Sequence, residues 1–220
     1  MLNSEKTKKI KKGPGFIETF DRIAPTYEEK YGDKLNLAHE ECLSILKKVD
    51  WTSKPRSILD IGCGTGALLE HLHIRWPQAN CIGIDPAQGM VDEALTRRPF
   101  ARFLVGMAEE LALPSGSIDL IVCSMSFGHW YDKSAGLQEI RRILHANGLF
   151  CLIENAPPGW GIKSLINWIM GSLGSYIPEA EIVRMAESAG LQRIYSTTTA
   201  RNIIVSVFQL PNGGHSYHDE

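Results

Sequence analysis

The 220-residue sequence predicts an α/β fold: an open, mostly parallel seven-stranded sheet with helices on both faces and an antiparallel hairpin at the C-terminal edge. Three observations predict it. Short apolar runs alternate with stretches of helical period from residue 57 to residue 153. The stretch ILDIGCGTG, residues 58–66, joins the first of those runs to a helical one through three glycines at every second position. The last two runs follow each other with only a short connection, as a hairpin requires.

Each element has its own reason. Phe16 to Tyr31 reads as helix interrupted at Ala24-Pro25, because proline removes a backbone donor. From Leu37 to Val49, the apolar residues Leu37, Cys42, Ile45, Leu46 and Val49 recur at helical spacing. Pro55 breaks that pattern, and Ser57–Ile61 is a short apolar run suited to a buried strand. Ala67–Trp76 is helical and stops at Pro77. Asn80–Ile84 is the second strand, followed by helix from Ala87 to Thr96. Phe103–Val105 and Ile118–Cys123 are the third and fourth strands. Lys133–His145 places Leu137, Ile140, Ile143 and Leu144 on one face. Asn147-Gly148 is expected to stop that helix, and Leu149–Ile153 to be the fifth strand. Glu179–Ala189 reads as helix with Gly190 as its stop. Leu191–Thr199 and Asn202–Phe208 make the hairpin.

The length suits one domain, expected over residues 16–210. Flexible tails are expected on either side: a basic one over 1–15, with Lys6, Lys8, Lys9, Lys11 and Lys12, and a polar one over 211–220. Inside the domain, residues 156–178 break the alternation. Lys163 is the only charge there, and apolar residues at 162, 165, 166, 169 and 173 keep helical spacing. This segment is expected to be an apolar lid or insertion, with a dimer contact or ordinary core as alternatives.

Composition excludes several classes. A net charge of −2 gives no basic surface for nucleic acid. No run of about 18 apolar residues is present, so no membrane-spanning helix is expected. Gly13-Pro14-Gly15 follows the lysines where a signal peptide would need an apolar stretch. Five cysteines, odd in number and without CxxC spacing, suit free thiols in a reducing cytoplasm and argue against structural zinc. His71 and His73 lie two apart on a predicted helix and share no face, so no metal is expected.

The glycine stretch carries the chemistry. Glycine allows positive φ and close approach of a ligand to the main chain, and the helix start beyond it offers unpaired N–H groups. The dinucleotide pattern GxGxxG clears space for a pyrophosphate. Here the spacing is GxGxG, and Asp60 stands two residues before the first glycine, where it would repel a pyrophosphate and favour a cation. No Gly-Lys-Ser/Thr follows, which excludes a P-loop. Asp85 ends the second strand, at the distance of roughly 20 residues that suits an acid binding ribose hydroxyls. The implied ligand has a ribose, no pyrophosphate and a positive charge. S-adenosylmethionine (SAM) has all three.

At this point the sequence resembles the class I SAM-dependent methyltransferases, in particular the methyltransferase-11 type that includes quinone and small-molecule methyltransferases. The resemblance covers about residues 16–155. It rests on ILDIGCGTG, on GIDPAQGMVDEA at 83–94, on GMAEELALPSGSIDLIVCSMSFGHW at 106–130, on EIRRILHANGLFCLIE at 139–154 and on FDRIAPTY at 20–27. It departs from the family at Met107, where an acid commonly holds the adenine amino group, at Ala112, and at His145-Ala146-Asn147-Gly148.

The resemblance implies a Rossmann-like class I methyltransferase fold and SAM as cofactor, with S-adenosylhomocysteine as product. It implies a cofactor site built from Tyr27, Asp60, Gly62, Gly64, Gly66, Asp85, Pro86, Met90, Met107, Ala108, Glu109 and Cys123. With Met107 in place of an acid, a backbone carbonyl, a water or Glu109 has to take the adenine contact. His129 is the candidate general base, with packing or helix capping as its alternative role. Trp130, Tyr131 and Trp160 are candidates for the acceptor pocket. The expected partner is a small, partly apolar acceptor methylated at O, N or C, with no nucleic acid and no integral membrane contact, on a monomer or homodimer. Two other functions compete: a non-catalytic SAM-binding module and, against the GxGxG spacing, an NAD-linked oxidoreductase.

Overall fold

The computed structural model describes residues 15–51, 53–157 and 176–218. The expectations for the basic tail, for Trp160 and for most of the apolar segment 156–178 lie outside those residues. In chain order the elements are α1 (Phe16–Ile23), α2 (Tyr27–Lys48), β1 (Val49–Asp50), β2 (Ser57–Ile61), α3 (Ala67–Arg75), β3 (Asn80–Asp85), α4 (Gln88–Arg97), β4 (Arg102–Val105), β5 (Ile118–Ser124), α5 (Lys133–Ile143), β6 (Leu144–Asn155), α6 (Glu179–Ser188), β7 (Gln192–Thr198), β8 (Ile203–Gln209) and β9 (Ser216–Tyr217). Short 3₁₀ turns occupy Ala24–Thr26 and Phe127–His129.

Seven strands form one sheet in the order β4-β3-β2-β5-β6-β8-β7. The first five of these run parallel, and β8 pairs antiparallel with both β6 and β7. The α/β class, the parallel majority and the final hairpin are therefore those the sequence predicts. Strand order reverses between β2 and β5. Such a reversal leaves a crevice beyond the carboxyl ends of the strands, where ligands of open α/β sheets sit.

Alternation along each strand splits the core into two layers. Ile58, Leu120, Val122, Cys151, Ile153 and Val205 face α2, α3 and α4. Leu59, Ile121, Phe150, Leu152, Ile204 and Phe208 face α5 and α6. Both faces are covered, which is why these strands read as continuous apolar runs. Asp60 shares the face of Ile58 and is nevertheless buried, at 2 % exposure.

Four features differ from the sequence reading. Helix α2 runs unbroken from Tyr27 to Lys48, because Gly32 and Asp33 weaken a helix without removing a backbone donor as proline does; the interruption at Ala24-Pro25 is present as the 3₁₀ turn. Helix α5 ends at Ile143 rather than at Asn147-Gly148, and β6 begins at Leu144. Leu144 pairs with Ile118 and Leu149 with Leu120, so residues 145–148 bulge out of register. Gly148 serves close approach there: a Cβ would stand 2.8 Å from Leu144 and 2.9 Å from the Ile118 carbonyl. The stretch 211–218, expected to be flexible, is docked on the domain. Its β9 pairs with β1. His215 is buried, with its ring nitrogens 3.1 and 2.8 Å from the Asp50 and Asn147 carbonyl oxygens. Strand β1, too short for any periodicity to reveal, is the partner that orders it.

The turn after β2 is shaped by contact. Gly62, Gly64 and Gly66 all have positive φ, at +72°, +53° and +85°. A Cβ on Gly62 would lie 2.3 Å from the Cβ of Ser126, whose hydroxyl donates to the Ile61 carbonyl at 2.7 Å. Gly62→Ala is therefore expected to cost about 2–4 kcal/mol through backbone strain and overlap. Adding Ser126→Gly should recover the overlap share and leave the backbone share, as read from urea unfolding of both variants and the double variant.

Candidate active site

Three strand ends and one helix frame the crevice. The N–H groups of Gly62 and Cys63 donate to the Ile84 carbonyl at 2.7 and 3.1 Å, which ties the glycine turn to β3. Asp85, at the end of β3, accepts from the Gly64 N–H and the Ala87 N–H, both at 2.9 Å. Its carboxyl is thereby fixed beside the glycine turn and the start of α4. Burial pushes Asp85 up to about 6, against the pull of those two N–H groups.

On one side of Gly62 lies a cavity lined by Ile61, Gly62, Asp85, Pro86, Gly106, Met107, Ala108, Glu109, Ser126, His129 and Trp130, and roofed by Phe16, Ile17 and Phe20 of α1. His129 lies in the 3₁₀ turn after β5, with its ring 5.0 Å from that of Phe16 and 5.9 Å from that of Phe20. Burial, helped by Lys133, holds His129 below its ordinary value. The turn itself is gripped on both sides. Glu154 accepts from the Gly128 N–H at 3.2 Å, and Lys133 Nζ donates to the Gly128 and Trp130 carbonyls. Burial raises Glu154 to about 7.

On the other side of Gly62 a second cavity is lined by Tyr27, Leu35 and His39 of α2, by Asp60, by the turn residues Gly62 to Thr65, by Ala67 and Leu68, and by Ser124. Three residues that line this space each carry a buried polar atom without a hydrogen-bond partner: Asp60 Oδ1, His39 Nδ1 and Ser124 Oγ. A buried polar atom without a partner costs free energy, so their convergence marks a place for a polar ligand. Burial first, and Asp85 second, push Asp60 up to about 8. Burial, with His71 and Arg98 nearby, pushes His39 down to about 4. Burial also raises Tyr27 to about 12.

Arg98, buried just beyond α4, holds the N-terminal helices to this site. Its guanidinium donates to Glu28 Oε1 at 2.6 Å, to the Thr65 carbonyl at 2.9 Å and to Glu70 at 2.9 Å. Thr65 Oγ1 donates to the same Glu28 oxygen at 2.6 Å. Burial alone would raise Glu28, but the Arg98 and Thr65 contacts bring it below its ordinary value. At the other end of α4, the Gly89 N–H donates to Asp21 Oδ1 at 2.8 Å. A Cβ on Gly89 would lie 2.7 Å from the Asp21 carbonyl, so glycine is what lets α1 come down onto α4.

Of the residues named from sequence, the structure brings Tyr27, Asp60, Gly62, Gly64, Asp85, Pro86, Met107, Ala108, Glu109, His129 and Trp130 to the two cavities. Gly66 caps α3, and the Phe103 ring occupies the space where its Cβ would be, so its part is packing. Met90 is buried with Ala24 and Ala87 under α1. Cys123 is fully buried against Ser126. Tyr131 is 69 % exposed and lines neither cavity. The sequence reading missed His39, Ser124, Arg98 and Glu154. His39 interrupts the apolar stripe of α2 and Ser124 directly follows the run 118–123, so each left a faint signal. Arg98 and Glu154 acquire their roles only through contacts distant in sequence.

Comparison with known proteins agrees with this geometry. Residues 59–152 match the family described as a methyltransferase domain. The demethylmenaquinone methyltransferase of Deinococcus radiodurans is 32% identical over 164 residues, 69% of this chain and 64% of that protein. The ubiquinone/menaquinone biosynthesis C-methyltransferase of Campylobacter jejuni is 28% identical over 155 residues, 66% of this chain and 65% of that protein. The match thus spans just under two thirds of each of these relatives. Among solved structures, a Haloferax volcanii methyltransferase in complex with the Trm112 activator superposes with a TM-score of 0.72 at 19% identity, over 87% of this chain and 97% of that one. A SAM-dependent methyltransferase from Aquifex aeolicus gives 0.66 at 16% identity, over 87% and 97%. These two show the fold. Residues 59–152 are thus similar to the methyltransferase domain of the methyltransferase-11 type, and the sheet built around them has the fold of these solved methyltransferases.

Proposed function

We propose that the protein transfers a methyl group from SAM to a small, partly apolar acceptor. The observation that supports this best is Asp60. A buried carboxyl with an unpartnered oxygen, held up near 8 beside a glycine turn, suits a ligand that brings its own positive charge. The residues present fit the cofactor. Asp85 suits the ribose hydroxyls, Asp60 the amino acid ammonium, and His39 and Ser124 the carboxylate beside it. When bound, SAM supplies a methyl group already activated by the neighbouring sulfonium.

The protein's own contribution is alignment, exclusion of water and care of one proton. Phe16, Phe20 and Trp130 wall the first cavity with apolar surface, which keeps water from the reacting centre. His129, kept below its ordinary value by burial and Lys133, is neutral near pH 7 and can take a proton from an acceptor hydroxyl or an acidic carbon. An apolar aromatic acceptor suits these walls. The names of the Deinococcus and Campylobacter relatives point the same way, toward a quinol-like ring.

Calorimetric titration of the folded protein with SAM and S-adenosylhomocysteine should give micromolar binding, weakened at least about tenfold in Asp85→Ala. Binding of NADH with no binding of either sulfur ligand would overturn the reading in favour of a dinucleotide enzyme. Incubation with SAM and a reduced, demethylated quinone should release S-adenosylhomocysteine, and His129→Ala should slow that release by about 10²-fold or more. Cofactor binding without turnover on any quinol, phenol or acyl-carrier acceptor would leave a SAM-binding module instead.

Asp60 links function to stability. The folded protein keeps its proton up to about 8, whereas an ordinary aspartate releases it near 3.8. Between those values the folded state binds more protons than the unfolded chain, so stability falls as pH rises. Asp60→Asn should be more stable than wild type at pH 8, with a smaller gap at pH 5, by urea unfolding without ligand. The same variant should lose the rise in S-adenosylhomocysteine affinity expected for wild type between pH 6 and 8.

A further inference from the structure

Glu154 stands near the end of β6, directly after Phe150, Cys151, Leu152 and Ile153, all four fully buried. It is itself only 6 % exposed and lines neither cavity. A carboxyl buried there costs free energy that an apolar residue would not. Its two oxygens show where it acts. Oε1 accepts the N–H of its own neighbour Asn155 at 3.1 Å. Oε2 accepts the Gly128 N–H at 3.2 Å, a contact that crosses from β6 to the turn carrying His129.

That turn is held at the residue just before His129. The Gly128 N–H goes to Glu154, and the Gly128 carbonyl accepts from Lys133 Nζ at 3.2 Å. An anionic acceptor and a cationic donor thus fix one glycine from two directions. The His129 N–H donates to the Ser126 carbonyl at 3.0 Å, and the Trp130 carbonyl also accepts from Lys133. The His129 ring meets the rings of Phe16 and Phe20. Such contacts locate an imidazole without choosing where its nitrogens point, so the backbone of the turn supplies the aim. The charged groups that act on Glu154 are Lys133 of α5 and Lys34 of α2.

We propose that Glu154 is a positioning residue for methyl transfer: through the Gly128 N–H its carboxylate holds the turn that aims the His129 ring into the acceptor cavity. The proposal rests on His129 as the base and adds the group that orients it. Glu154→Met is the informative change, because it keeps the length of the side chain and leaves the Gly128 N–H without its acceptor. Glu154→Gln is the conservative partner. Its amide oxygen can still accept that N–H, although the amide carries no charge.

The test compares single-turnover methyl transfer to a reduced, demethylated quinone, at saturating SAM, in wild type, Glu154→Met, Glu154→Gln, His129→Ala and the Glu154→Met/His129→Ala double variant. Thermal unfolding and S-adenosylhomocysteine titration serve as controls. Glu154→Met should slow transfer about tenfold or more with cofactor affinity unchanged, and Glu154→Gln should recover most of that loss. In the His129→Ala background Glu154→Met should cost nothing further, because nothing is left to position. Equal loss with and without His129, or a folded Glu154→Met as fast as wild type, overturns the proposal and leaves the base reading intact. A His129→Ala variant as fast as wild type overturns both. A second readout needs no turnover: the His129 ring resonances followed by NMR between about pH 5 and 9. Burial raises Glu154 to about 7, while His129 is held below its ordinary value. The wild-type ring should therefore shift in two steps, and the ring of either Glu154 variant in one. A single step in wild type overturns the proposal whether or not this quinol is the acceptor and whether or not the variants fold.

Discussion

Everything at the site depends on how closely backbone can approach backbone at Gly62. The turn after β2 has to clear Ser126 on one side and reach the Ile84 carbonyl on the other. Only a residue without a Cβ, in a left-handed conformation, satisfies both. Once that turn is in place, Gly64 can offer its N–H to Asp85, α3 can start at Ala67, and the carboxyl ends of β2, β3 and β5 enclose a cavity on each side of the turn. Two adjoining cavities on opposite sides of one turn suit an extended ligand with chemically different ends.

The N-terminal helices are held by polar contacts at both ends of α4. Asp21 accepts from the start of α4, and Arg97 and Arg98 at its end meet Glu28. Helix α1 fully buries no residue of its own, so its position over the cavity relies on this stitching, on the packing of Ile17, Phe20 and Ile23 against Ala24, Ala87 and Met90, and on the Phe16, Phe20, Tyr27 and His129 ring contacts. Arg98 also takes the Thr65 carbonyl, so the glycine turn and the covering helices share one guanidinium. A disturbance at either would be felt by the other, because the buried guanidinium has no water to fall back on.

The sheet was legible because its strands are buried on both faces and its helices carry one apolar face each. Those patterns survive without tertiary knowledge, and the strand starts at Ser57, Asn80 and Ile118 follow directly from them. The glycine spacing together with Asp60 and Asp85 pointed to a ligand class for a chemical reason, a cation and a ribose with no pyrophosphate, and the structure gathers those residues at the turn after β2. What stayed hidden depends on partners far along the chain. Strand β1 has two residues and exists only because β9 returns to it from the C-terminus. Gly148 looked like a helix stop but makes room beside Ile118 and Leu144. His39 looked like a polar blemish on an apolar helix face until the structure brought it to the same cavity as Asp60.

A protein gains no stability from an unpartnered carboxyl in its central strand. Asp60 occupies a position where its neighbours Leu59 and Ile61 are buried hydrophobics, and an apolar residue there would complete the layer that begins with Ile58. Local rules broken without a gain in folding mark places where function sets the residue. The same holds for His39, which sits on α2 between Ala38 and Cys42, two fully buried members of the core. A ligand that brings an ammonium to one and a carboxylate to the other satisfies both at once, and the binding free energy then offsets the cost that folding alone leaves standing. On this view the fold is least stable when empty at alkaline pH, and its cofactor supplies the missing contacts at the centre of the sheet.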